Sequence, residues 1–166
     1  MGKSVMFTGH RTLPEKAVAR QLHEIIPVLY ANGFNNFITG GALGFDTLAA
    51  LAVLEFGKHH PHVHLCLALP AEDQPADWDE KDRRRYYDIF NKSATHQFLC
   101  GSIKEKDVYR VRNYFMVDHA DACIAYLDHG GRSGTVMTVN YAKRKGLPLL
   151  NIAVPGYDID AFVRSL

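Results

Sequence analysis

Short apolar runs recur along the chain, and each is followed by a segment with helical periodicity. Ser4–Thr8 is the first run and reads as a strand. The segment after it sets Val18, Leu22, Ile25, Ile26 and Leu29 at helical spacing, with Pro14 suited to the first turn. Pro27 is expected to kink that helix or end it early, and Asn32-Gly33 to stop it. Asn36–Thr39 is the second strand. Leu43–Gly57 is apolar almost all round, as in a helix buried against a sheet. Val63–Leu69 is the third strand, Asp79–Lys92 a charged amphipathic helix, Thr95–Cys100 the fourth strand and Asp107–His119 a helix. Ala122–Leu127 is the fifth strand, Thr135–Lys145 a helix stopped by Gly146, Pro148–Ile152 the sixth strand and Ile159–Leu166 a short closing helix.

Strands alternating with helices, and strands apolar throughout, predict an α/β fold: a three-layer, doubly wound, mostly parallel sheet of about six strands with both faces covered. The 166 residues fit one domain, and a chain of this size buries roughly 70% of its unfolded surface. The apolar and charged fractions, 47% and 22%, are those of a soluble globular protein. A net charge of +1 gives no bulk attraction to nucleic acid or to an acidic membrane. Cys66, Cys100 and Cys123 are odd in number and form no close pair, which predicts buried, reduced thiols and a cytoplasmic protein. The N-terminal apolar run is too short for a signal core, and no run reaches membrane-spanning length.

In a parallel sheet every strand-to-helix loop leaves from one edge, and ligands bind there near the point where strand order reverses. The loops on that edge are Gly9-His10-Arg11, Gly40–Asp46, Pro70–Trp78, Gly101-Ser102 and Gly130–Thr135. Gly130, Gly131, Ser133, Gly134 and Thr135 lie between a strand and a helix. Glycines there let successive N–H groups face one anion, and the helix start and two hydroxyls add to it, so the stretch reads as a phosphate cradle. Gly40, Gly41 and Gly44 can likewise approach a phosphate or ribose. Asp46 either accepts from ribose hydroxyls or only stabilises its helix start. Arg11 is placed to pair with a phosphate, and His10 to meet a base or sugar. In Pro70–Trp78, Gln74 can read a base edge, while Trp78 either stacks on a base or fills the core. Arg112, beside Asn113, either reaches a phosphate or lies on the surface.

Several chemistries are disfavoured. There is no nucleophile elbow, zinc signature or Walker lysine, and Gly40–Gly44 is not a dinucleotide fingerprint. His59, His60, His62 and His64 lack partner ligands at metal spacing, so no metal centre is expected. Lys81–Arg85 mixes charge signs as solvated helix faces do.

Thr8–Arg11, Thr39–Asp46 and Gly130–Thr135, in this order, resemble the SLOG superfamily, which includes DprA and the LOG nucleotide phosphoribohydrolases. The spacing of Pro70, Gln74, Trp78 and Tyr86, and Arg112-Asn113 before Asp118 and Asp121, resembles its YpsA-like branch. The resemblance covers nearly the whole chain. It implies a Rossmann-like fold whose strand edge binds a nucleotide or nucleotide-derived ligand, with no cofactor beyond a bound nucleotide or phosphate. In the LOG pattern P-G-G-x-G-T-x-x-E, the glycines and threonine match Gly130, Gly131, Gly134 and Thr135. Arg132-Ser133 makes the spacer one residue longer, and His129 replaces the proline. Arg112 and Met116 match the arginine and methionine of the same pattern. The glutamate position falls on Thr138, which does not supply the carboxylate that glycosidic cleavage requires, and Asp46, Asp118 and Asp128 are the candidates to stand in for it. The expected role is therefore binding of a small nucleotide-type ligand, in the manner of a sensor. The alternatives are LOG-like hydrolysis of a nucleotide and DprA-like binding of single-stranded nucleic acid, the latter disfavoured by the near-zero charge. No membrane partner is expected, and the apolar helices would suit a homodimer.

Overall fold

The computed structural model describes residues 2–166. Its elements run β1 (Lys3–Gly9), α1 (Glu15–Ala31), β2 (Phe34–Thr39), α2 (Phe45–Gly57), β3 (His64–Leu69), α3 (Glu80–Lys92), β4 (Thr95–Phe98), α4 (Val108–Asp118), β5 (Ala122–Tyr126), α5 (Gly134–Arg144), β6 (Leu149–Asn151) and α6 (Ile159–Arg164). The strands form one sheet in the order β4-β3-β2-β1-β5-β6. Every pairing is parallel. This is the doubly wound α/β architecture that the alternating pattern predicts.

Strand period two divides the core between the faces. Val5 and Phe7 of β1 point into one cluster, with Val18 and Leu22 of α1, Phe45 and Val53 of α2, and Tyr86 and Ile89 of α3. Met6 points into the other, with Met116 and Val117 of α4 and Val139 and Ala142 of α5. The chain therefore covers one face going outward from β1 to β4. It crosses over through α4, and covers the second face from β5 to β6. Strand order reverses at β1, which lies between β2 and β5.

Two expectations need correction. Pro27 neither ends nor shortens α1, which continues to Ala31. The five buried apolar residues of its stripe, Val18, Leu22, Ile25, Ile26 and Leu29, outweigh the loss of a single backbone hydrogen bond. Only Cys123 is buried; Cys66 and Cys100 are half-buried, and all three are free thiols. Burial pushes the Cys123 thiol up, so it is inert packing.

Candidate functional site

The loops that leave the C-terminal ends of β1, β2 and β5 meet at the reversal point. The Gly40–Asp46 loop is held from all sides. Asp46 Oδ2 accepts from Gly40 N and Ala42 N, both at 3.2 Å. The Gly40 carbonyl accepts from the Arg112 guanidinium and, at 3.4 Å, from the Gln74 amide. Arg112 Nε also donates to Asn113 Oδ1 at 2.7 Å. Asp46, Gln74, Arg112 and Asn113 are all buried. Phe45 N donates to His10 O, which ties this loop to the end of β1.

Glycine is required here for packing. A Cβ at Gly40 would lie 2.5 Å from the Arg112 guanidinium, and one at Gly44 would run into the Arg11 backbone. Gly44 also has φ +80°, a conformation that side chains other than glycine rarely adopt. Burial pushes the Asp46 carboxyl up, against the opposing pull of Arg112 and the two N–H donors. Burial likewise lowers Arg112, and Asp46 pulls it back up. The two form a compensating buried pair of charges around the Gly40 peptide.

The Gly130–Thr135 loop is built differently. Gly130 and Gly131 are exposed, and a Cβ at either would touch nothing within 4 Å. Ser133 caps α5: its Oγ accepts from Val136 N at 3.1 Å, and its proton is left to donate. The N–H groups of Gly134 and Thr135 sit in the first helical turn, where no intrahelical acceptor exists. Thr138, at the LOG glutamate position, is fully buried and donates to Gly134 O at 2.7 Å. It faces the helix and has no access to a ligand.

Two cavities flank the Gly40–Asp46 loop, and Arg11 and Asp46 line both. The first, of about 360 Å³, lies in the reversal crevice and is lined by Gly9, His10, Arg112, Asn113, Ser133, Gly134 and Thr135 among others. The second, of about 300 Å³, lies between α2 and α3, with Thr39, Gly41, Gly44, Trp78, Arg85 and Tyr86 in its wall. The Tyr86 hydroxyl and Thr39 Oγ1 are buried there without a hydrogen-bond partner. Buried polar groups rarely stay unpaired in folded proteins. Burial pushes Tyr86 up to about 12, so it remains a hydrogen-bond donor. Trp78 both packs edge-on against Tyr86 and lines the cavity, so the two readings of this residue are not exclusive.

The sequence candidates thus separate into groups. Gly9, His10, Arg11, Ser133, Gly134, Thr135, Gly41, Gly44, Asp46, Trp78, Arg112 and Asn113 line one cavity or both. Gly40 and Gln74 are framing residues behind the wall. Pro70 is buried and its carbonyl accepts from Cys100 N; like the exposed Gly130 and Gly131, it lines neither cavity. Arg112 is no surface arginine: it is buried, and the Gly40 carbonyl and Asn113 accept two of its donors in the interior. His59, His60, His62 and His64 are exposed or half-buried around the start of β3.

Sequence reading missed Thr39 and Arg85, which look like ordinary strand and helix residues. It also missed a cluster that joins chain positions far apart. His10 Nε2 lies 3.4 Å from Asp128 Oδ1, and His129 Nδ1 lies 2.5 Å from the same oxygen. The two imidazoles stack with centroids 3.9 Å apart.

An all-parallel, doubly wound sheet with cavities at its strand-order reversal defines a Rossmann-like domain. Comparison with known proteins carries this further. Residues 9–152 match the YspA SLOG family, and the chain belongs to that family. It is 33% identical over 123 residues to the SPbeta prophage-derived protein YoqJ of Bacillus subtilis strain 168, covering 65% of this chain and 69% of that protein. It is 26% identical over 131 residues to a UPF0398 protein of Bacillus cereus strain G9842, covering 78% of this chain and 71% of the relative. Among solved structures, the DNA processing protein A of Streptococcus pneumoniae superposes with a TM-score of 0.68 at 19% identity over 99% of this chain. The chain spans 55% of that longer protein. The Helicobacter pylori DNA processing protein A, described for its single-stranded DNA binding mode, gives 0.69 at 16% identity, covering 99% of this chain and 80% of its own. No helix among the described residues is long and apolar enough to cross a membrane.

Proposed function

We propose that the protein binds a nucleotide or nucleotide-derived ligand at the C-terminal edge of its sheet, as a sensor or carrier. The phosphate sits on the N–H groups of Gly134 and Thr135 and the hydroxyl of Ser133, with Arg11 at the rim. The observation that carries this reading is the contrast in packing at the α5 start. A Cβ added at Gly130 or Gly131 would meet no protein atom within 4 Å, which leaves this side of the loop open to contacts from outside the chain. The base occupies the Trp78–Tyr86 cavity, where the unpartnered hydroxyls of Thr39 and Tyr86 supply polar contacts. Asp46 and Arg112 act through the Gly40–Asp46 frame that divides the two cavities.

Hydrolysis of the glycosidic bond is the weaker reading, because Thr138 is buried and spent on Gly134 O. Single-strand binding is favoured by the structural likeness to the DNA processing proteins and opposed by a net charge of +1. A thermal-shift series against nucleoside mono- and diphosphates, nucleotide sugars and a short oligothymidylate tests the proposal. A ligand at a hundred times its dissociation constant stabilises by about 2.7 kcal/mol. No shift with any small nucleotide, together with a salt-sensitive shift from the oligonucleotide alone, would replace this reading with nucleic-acid binding. Release of free base during incubation would turn it into hydrolysis.

A further inference from the structure

Asp128 stands near the start of the loop that leaves β5, and His10 opens the one that leaves β1. Asp128 follows the buried strand Ala122–Tyr126, and its ion-pair partners among the described residues are two histidines, with no lysine or arginine. His10 Nε2, His129 Nδ1 and an Asp128 oxygen belong to one group whose donor atoms all lie within 4.8 Å of one another. His10 is 7% exposed, and its Nε2 is sealed from solvent without a hydrogen-bond partner. It is directed at Asp128 from 3.4 Å, beyond hydrogen-bonding distance. A buried imidazole nitrogen left unpaired beside a carboxylate is costly unless something else engages both.

We propose that His10, Asp128 and His129 form a binding site for one divalent transition ion of the Zn2+ class. Two imidazoles and one carboxylate are the donor set such ions prefer, whereas Mg2+ and Ca2+ favour all-oxygen sites. Three protein ligands leave further coordination positions open on the crevice side, because His10 also lines the reversal cavity. Ligand distances of about 2.0–2.2 Å require the donors to close on a common centre. The stack itself is not a ligating arrangement: lone pairs lie in the ring planes, and rings 12° from parallel direct them side by side. His129 is the residue that turns. It is 65% exposed and is followed by the uncontacted glycines Gly130 and Gly131. The cluster escapes sequence inspection because its first ligand lies at the end of β1 and the other two follow β5, strands that only the crossover makes neighbours.

The site stands independently of the nucleotide proposal, and its test contains no nucleotide. Chelator-treated protein is titrated with Zn2+ by calorimetry and with Co2+ by absorption spectroscopy. One equivalent is expected to bind, with visible bands of nitrogen and oxygen ligation and no thiolate charge-transfer band. Affinity should fall at least tenfold in His129→Ala and in Asp128→Asn. His129 is exposed, so its variant folds. A His59→Ala/His62→Ala double variant should bind as the wild type does. Absence of saturable binding overturns the proposal. So does full affinity in His129→Ala, loss of binding in the His59/His62 variant, or a thiolate band that places the ion on the free cysteines.

Discussion

The loops Gly40–Asp46 and Gly130–Thr135 look alike in sequence and differ in physical role. Each carries three glycines between a strand and a helix. In the first, added atoms at Gly40 and Gly44 collide with Arg112 and the Arg11 backbone. Its peptide groups are bonded to Asp46, Arg112 and Gln74. In the second, a Cβ added at Gly130 or Gly131 would meet no protein atom within 4 Å. The first loop needs glycine because the protein is close to it. The second has glycine where the protein is not. The two glycine-rich turns are thus told apart by burial rather than by composition.

The two loops are expected to respond differently to substitution. Arg112→Ala should have the largest effect, because it removes a buried donor from Gly40 and leaves Asp46 as an uncompensated charge. A loss of about 3–5 kcal/mol is expected in urea denaturation. A loss below about 1 kcal/mol would show that the frame does not depend on the arginine. Gly44→Ala comes next, at roughly 3 kcal/mol, from positive φ and collision with the Arg11 backbone together. Asp46→Ala should cost about 1–3 kcal/mol by stripping the acceptor from two backbone N–H groups.

Asp46→Asn keeps an oxygen on those donors and should cost less than the alanine variant. Its pH dependence sharpens the point. The folded carboxyl lies above its ordinary value, chiefly through burial. The folded state therefore binds the proton more tightly than the unfolded chain between that ordinary value and the raised one. Stability from this group rises as pH falls through that window. The wild type should gain on Asp46→Asn in acid, as measured by paired denaturation curves; an advantage that instead grows toward neutral pH would reverse the assignment. Gly130→Ala should have the smallest effect on folding, within about 0.5 kcal/mol. It should nonetheless weaken inorganic phosphate or nucleotide binding roughly tenfold, about 1.4 kcal/mol. Equal destabilisation by Gly44→Ala and Gly130→Ala would erase the distinction between the loops.

Much of the architecture was legible because the sheet is buried on both faces. Strands such as Ala122–Tyr126, buried throughout, read as continuous apolar runs, and the intervening helices show their stripes. Pro27 misled because a local rule was overridden by a buried stripe that spans the whole helix. β4 ends at Phe98 rather than Cys100, although Leu99 N and Cys100 N still donate to Leu69 O and Pro70 O just beyond its end. At the site, the glycine loops, Arg11 and Trp78 were visible as motifs. The inward turn of Arg112 was not, because it depends on the crossover that packs α4 beneath β3. The same crossover joins His10 to Asp128, and no spacing rule spans that distance.

The most direct test of the central claim is backbone amide NMR during titration with a nucleoside monophosphate. The amides of Gly134 and Thr135 should shift most, accompanied by Gly130, Gly131 and Arg11. Resonances of Gly40 and Ala42, already bonded to Asp46, should move little. Saturable shifts centred on the Gly40–Asp46 loop, or no saturable shift at Gly134 and Thr135, would contradict the assignment of the α5 start as the phosphate site.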